Sequence, residues 1–237
     1  MNGEELRREL FSLLADRGAK LMGTADLSGI VAGELSIGVS VAIPVPANIV
    51  QDLKTAPTKE YYEAYYALNG KLNEIVTCGA EFLEKMGYRA QANTTKAVRQ
   101  DENWCTPLPH KTVATRAGLG WIGKNNLLVT ESYGSAIRLS SLLTDAPLPV
   151  EIPIVESRCG GCDICVRSCP AKALTGALWK AGMRREELFC KEDCKRVQTE
   201  RMKRATGIDT DLCGLCFAVC ARTQKYLRMS EEQQASE

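Results

Sequence analysis

The chain of 237 residues has one histidine, His110, and a formal net charge of only +1. No apolar stretch reaches the ~18 residues that a membrane span needs, so no membrane association is expected. The N-terminus, Met1-Asn-Gly-Glu-Glu, lacks the apolar h-region of a secretory signal. Arg7-Arg8 resembles a twin-arginine pair, but the Glu-Leu-Phe-Ser that follows reads as an amphipathic helix. A near-neutral balance argues against a chain whose main task is to grip a phosphate backbone, so nucleic acid is not an expected partner. The one basic concentration, Lys195 to Arg204, interleaves no aromatics and reads as a solvated helix face. Low-complexity tracts are absent, as are internal repeats outside the cysteine motif. Disulfides are disfavoured by the odd count of 11 cysteines and by the missing signal, which points to a reducing, cytoplasmic setting.

What the chain does have is cysteine in a telling order. Cys159, Cys162, Cys165 and Cys169-Pro170 are followed by Cys213, Cys216 and Cys220. Cys-x-x-Cys-x-x-Cys places three thiolates around one face of a 4Fe-4S cubane, and the fourth must come from elsewhere in the chain. In two-cluster ferredoxins the Cys before Pro ligates the other cluster. This pattern assigns Cys159, Cys162, Cys165 and Cys220 to a first cluster, and Cys169, Cys213 and Cys216 to a second. The eighth ligand is Cys190 or Cys194, and spacing alone does not choose between them. Structural zinc also uses Cys-x-x-Cys pairs, but it stops at four ligands per site. The reading is a redox protein.

Leucines at 6, 10, 13 and 14 predict a helix over 3–17 that ends at Gly18. Val- and Ile-rich 35–44 predicts a buried strand, and 58–86 a long helix stopped by Gly87. That helix carries a stripe of tyrosines, read as core packing with a cofactor pocket as the alternative, and Cys78, read as a small core hydrophobe. A short strand near 88–92, a polar loop to about 108, and strands near 127–130 and 136–144 complete an α+β body. Pro147 to Pro153 marks a boundary. The expected domains are 1–150, 151–228 and a frayed polar tail at 229–237.

Gly118-Leu-Gly-Trp-Ile-Gly-Lys124 matches the dinucleotide fingerprint G-x-G-x-x-G, but the context is reversed. Residues 112–117 before it look helical and 127–130 after it look like a strand, whereas a nucleotide fold needs strand, then glycines, then helix. The glycines therefore signal backbone in close approach to a ligand or to another chain segment. Trp121 and Lys124 would add a flat apolar surface and a phosphate-seeking charge.

Together, Pro109 to Asn125, Tyr133-Gly-Ser135, Leu143-Thr-Asp-Ala-Pro147 and the double cysteine pattern resemble the epoxyqueuosine reductase family, itself related to reductive dehalogenases. The likeness runs from about Tyr61 to Cys220. It implies a nitroreductase-like α+β domain that binds a corrinoid (cobalamin), followed by a small ferredoxin-like domain feeding electrons to cobalt. It favours Cys194 over Cys190 as the eighth ligand. Among the cofactor-binding residues it implies, Arg116, Lys124 and Asn125 are candidates for corrinoid amides or phosphate. Gly118, Gly120, Trp121, Gly123, Tyr133, Gly134 and Ser135 complete the candidate set. His110 and Trp104 are the catalytic candidates, His110 as a cobalt ligand or proton donor.

Three departures set the chain apart from that family. Trp104 stands where the family has its proton-donating Asp, and Asp101 would substitute only if its loop rearranged. The family's C-terminal helical-repeat segment for tRNA is not expected here. Ala221 follows Cys220 where proline is usual. The expectation is a short, divergent, corrinoid-dependent iron-sulfur oxidoreductase. It would take electrons from a carrier such as ferredoxin or flavodoxin and act on a small molecule or on a partner's corrinoid. The alternatives are a two-cluster electron carrier without corrinoid, and an epoxyqueuosine reductase that relies on a separate RNA-binding partner.

Overall fold

The computed structural model describes residues 2–31, 33–102 and 104–234. In chain order the elements are α1 (Gly3–Asp16), β1 (Leu21–Asp26), β2 (Ile37–Pro44), α2 (Ala47–Asp52), α3 (Lys59–Lys85), β3 (Ala90–Ala92), α4 (His110–Arg116) and β4 (Trp121–Ile122). There follow β5 (Leu128–Val129), β6 (Ile137–Thr144), α5 (Ile164–Ser168), α6 (Lys191–Thr206), α7 (Leu215–Ala218) and α8 (Ala221–Gln234).

The chain forms two compact units, and neither is continuous in sequence. One comprises 1–43, 67–119 and 138–154; the other comprises 44–66, 120–137 and 155–237. The last segment of the second unit begins close to the expected boundary at 150. That unit also takes up 44–66 and 120–137, which lie within the stretch expected to form the first domain.

The first unit is built on a four-stranded sheet in the order β1-β2-β6-β3. Both edge pairs are antiparallel, with Leu21 opposite Ala42 and Ala90 opposite Thr144. Helix α1 starts on a capping box: the Asn2 side chain accepts the Glu5 N–H, and Glu5 Oε2 accepts the Asn2 N–H. Gly18, at φ 101, takes the chain out of the helix. Leu6, Leu10 and Leu14 are fully buried against Leu72, Ile75, Val76 and Leu83 of α3 and Val39, Val41 and Leu142 of the sheet. Burial of each such side chain contributes about 1.5–3 kcal/mol. Cys78, expected as a small core hydrophobe, is only half-buried.

Strand β1 was not among the expected elements. Leu21-Met-Gly-Thr-Ala-Asp26 lacks the β-branched enrichment that signals a strand, and its pairing with β2 is what makes it one. Gly23 is required there because a Cβ would fall 2.5 Å from the Ala117 carbonyl oxygen.

The second unit holds α2, the first turns of α3, the β4–β5 hairpin and the short helices of the cysteine region. Tyr61 is buried and meets the Phe217 ring edge-on at 5.8 Å, while Tyr66 stays exposed. The tyrosine stripe is thus packing at one end and surface at the other. Helix α6 contains the basic run; Arg196 pairs with Asp193 and Glu200, and Met202 alone is buried. Helix α8 continues through 229–234, part of the stretch expected to fray, and is supported by Gln51 Nε2 donating to Glu231 Oε1 at 2.6 Å. Residues 235–237 lie outside the described residues. No described helix is long and apolar enough to cross a membrane.

Candidate metal centre

The cysteine loops carry little regular structure beyond α5, α7 and the turns between them, and left-handed glycines Gly160 and Gly214 bend the chain around the thiols. All eleven cysteines are free thiols. Burial pushes the Cys165 thiol up to about 11, and the charges next in importance are Cys220, Cys159 and Cys162. Cys194 is likewise raised to about 11, first by burial and then by Cys169 and Cys213, with smaller contributions from Asp211 and Cys190. Cys216 is raised by burial and then by Cys213, Cys194, Cys165 and Cys169.

The thiols therefore neighbour one another in two groups of four that adjoin at Cys165 and Cys216. One group is 159, 162, 165 and 220; the other is 169, 194, 213 and 216. Each group interleaves cysteines from both ends of the region. Cys190 is exposed, and its main neighbours are Asp193 and Glu192 rather than Cys169, Cys213 or Cys216.

Buried thiols that oppose one another's ionisation fit a cationic cluster, because bound iron requires thiolates and offsets their charge. Among the described residues no three His, Cys, Asp or Glu side chains converge as ligands of one metal ion.

The glycine block serves this region. Gly120 lies against the partner strand of its hairpin, where a Cβ would stand 2.1 Å from the Val129 carbonyl oxygen. A neighbouring chain segment, not a ligand, accounts for that glycine. Trp121 is 1% exposed, so it offers no flat surface; its Nε1 donates to Cys159 Sγ at 3.4 Å. Lys124 Nζ donates to the Gly160 carbonyl at 3.0 Å instead of standing free for phosphate. Asn125 is buried and donates to Ser135 Oγ at 2.8 Å. A Cβ on Gly134 would fall 2.2 Å from the Thr223 nitrogen, and Ser135 N–H donates to Thr223 Oγ1 at 3.0 Å. Tyr133 packs edge-on against Tyr226 at 5.2 Å. Gly123 is buried beside Val129.

In the first unit, Arg116 Nε donates to the Asp26 carbonyl at 2.5 Å, and Gly118 turns the chain at φ 68. Gly120, Trp121, Gly123, Asn125, Gly134 and Ser135 are thus buried within the fold. Close approach to another chain segment was one of the two expectations for the glycines, whereas the side-chain pairings of Trp121, Asn125 and Ser135 were unforeseen because each joins residues from separate parts of the chain or across a tight hairpin.

The catalytic candidates are placed as follows. His110 opens α4 with Nδ1 2.9 Å from Ser141 Oγ. Burial, with a smaller effect from Arg138, lowers it to about 4, so the imidazole is neutral at pH 7. Trp104 is half-buried at φ 56, an uncommon backbone for a bulky residue. Its N–H donates to the Asp101 carbonyl, and Asp101 Oδ1 accepts the Cys105 N–H at 2.8 Å. That carboxylate is engaged in its own turn.

A 4Fe-4S binding domain matches residues 152–175 and so includes four of the eight cysteines. The epoxyqueuosine reductase of Vibrio cholerae serotype O1 is 30% identical over 178 residues, which cover 75% of this chain and 46% of that protein. The chain spans about a third to a half of the length of the first curated relatives it matches. Among solved structures, a reductive dehalogenase studied for B12-dependent dehalogenation matches with TM-score 0.72 at 18% identity, covering 98% of this chain and 34% of that one. An epoxyqueuosine reductase with an epoxyqueuosine-modified tRNA-Tyr stem loop matches with TM-score 0.64 at 20% identity, covering 94% and 66%. These two likenesses establish a shared fold.

Proposed function

We propose that this chain, a relative of the epoxyqueuosine reductases, is an iron-sulfur oxidoreductase module with two 4Fe-4S clusters. Cys159, Cys162, Cys165 and Cys220 would hold one cluster, and Cys169, Cys194, Cys213 and Cys216 the other. The observation that carries this reading is that the thiols, of which Cys165 is buried and Cys162 exposed, neighbour one another in two adjoining, interleaved groups of four. When bound, the clusters supply one-electron transfer between a low-potential carrier such as ferredoxin or flavodoxin and an acceptor. The protein's part is to keep the thiols convergent, to exclude water around Cys165 and Cys216, and to donate N–H groups to the sulfurs. The test is anaerobic purification followed by iron, sulfide and zinc analysis. About eight irons per chain support the reading; about four, or zinc in their place, overturn it.

The finer form of this reading adds a corrinoid acceptor in a nitroreductase-like first unit. It is supported by the fold shared with a B12-dependent dehalogenase. Against it, Arg116, Lys124, Asn125 and Ser135 of the implied cradle pair within the chain. Cobalamin titration separates the forms: a base-off spectrum supports corrinoid binding, and no change leaves a two-cluster electron carrier.

A second reading, epoxyqueuosine reduction on tRNA, is favoured by the names of the relatives and by the tRNA stem loop bound in one structural neighbour. It also weighs against the expectation that nucleic acid is no partner. Trp104 in place of the family's carboxylic acid counts against it. Unchanged queuosine in tRNA after gene deletion would remove it.

A further inference from the structure

The β4–β5 hairpin brings a hydrogen-bond donor directly to one of the cluster thiols. Trp121 Nε1 lies 3.4 Å from Cys159 Sγ, and the indole is almost wholly removed from water. Two guanidinium groups stand over the same ring, Arg158 at 5.9 Å and Arg222 at 5.7 Å from its centroid. Cations over an indole face draw electron density from the ring and so strengthen its N–H as a donor. Arg222 is itself tethered by Glu131 at 2.8 Å, which holds its side chain in place and offsets part of its charge. Lys124 Nζ adds a further positive charge on the carbonyl of Gly160, the residue after Cys159.

The second group of thiols is served differently. A side-chain donor there is Gln198 Nε2, at a longer 3.7 Å from Cys194 Sγ, and the carboxylate of Asp211 is among the charges acting on that sulfur. An N–H directed at a cluster sulfur withdraws charge and favours the more electron-rich, reduced state; a nearby carboxylate opposes it.

We propose that Trp121 is a positioning residue that raises the reduction potential of the cluster at Cys159, Cys162, Cys165 and Cys220 above that of its neighbour, so that this cluster is where an incoming electron settles. The inference rests on the two-cluster reading above. The step is a single-electron one: a low-potential one-electron carrier is oxidised, the cluster is reduced by one electron, and the indole keeps its proton.

The test is a mediated redox titration followed by electron paramagnetic resonance, on anaerobically purified full-length wild type and Trp121→Phe. Phenylalanine keeps an apolar ring but has no N–H. The expected result is that Trp121→Phe retains both clusters, that the higher of the two midpoints moves to a more negative potential, and that the lower one stays. In wild-type protein grown with 15N-indole tryptophan, pulsed resonance should show coupling to nitrogen in the higher-potential signal only, and Trp121→Phe should lose it. That second readout decides the matter if the variant fails to assemble its clusters. The proposal is overturned if both midpoints are unmoved in a variant with its full iron content, if only the lower midpoint shifts, or if the labelled wild type shows no coupling. A wild-type chain without iron would instead overturn the underlying cluster reading.

Discussion

Thr223, fully buried on α8, accepts the backbone N–H of Ser135 at 3.0 Å through its Oγ1. Three residues after Cys220, it ties the 133–135 turn to the segment that supplies the last cluster thiol. The closeness is enforced on the other side by Gly134, where any Cβ would collide with the Thr223 backbone. Thr223→Val preserves shape but removes the acceptor and leaves a buried N–H unpaired. We expect a loss of about 1–3 kcal/mol, measured by urea unfolding under anaerobic conditions; an unchanged midpoint would show that the bond contributes nothing.

Cys190 and Cys194 stand one helical turn apart, with Cys190 at the N-cap of α6, and only Cys194 neighbours the other thiols of the second group. Cys194→Ser should lower the iron content from about eight to about four per chain. Cys190→Ser should leave it at about eight. Equal losses in both variants, or loss in Cys190→Ser alone, would contradict the assignment.

His110 is held down to about 4 from an ordinary 6.5. A histidine with a depressed folded pKa binds fewer protons folded than unfolded, so the stability it confers is present above 6.5 and is lost as pH falls toward 4. Over that window wild type should lose stability relative to His110→Gln by up to about 3 kcal/mol. Urea midpoints for the two proteins at pH 7 and pH 4.5 measure this difference. Parallel pH dependences would place the imidazole in water rather than against Ser141.

Gly120→Ala inserts a methyl group 2.1 Å from the Val129 carbonyl oxygen. The hairpin must open to admit it, at a cost of about 1–3 kcal/mol, and the Trp121 indole should move from Cys159 as it does so. Thermal unfolding and tryptophan fluorescence, compared with wild type, check both effects. A variant of wild-type stability would mean that this glycine answers to something other than its hairpin partner.

Local chemistry made much of the chain legible. Gly18 ends α1, Gly87 stops α3, and the leucine periodicity marks a real core face, because capping and amphipathic spacing act within a few residues. The reversed order around Gly118–Lys124 was equally readable, since α4 precedes the glycines and β5 follows them. Strand β1 was not readable, because its identity comes from the register Leu21 to Ala42 and from the room Gly23 gives the Ala117 carbonyl.

By itself the sequence determined the 4Fe-4S binding motif: thiolates at Cys-x-x-Cys-x-x-Cys spacing ahead of Cys169-Pro170 are a local requirement of cubane geometry, written in nearby residues. Only the tertiary structure decided what surrounds those thiols. It turned Trp121 inward onto Cys159, set Lys124 on Gly160, locked Asn125 to Ser135, and placed Cys194 rather than Cys190 among its partners. Each of these is a pairing across a hairpin or between distant segments, and a contact of that kind depends on how the chain folds back rather than on the residues that flank it.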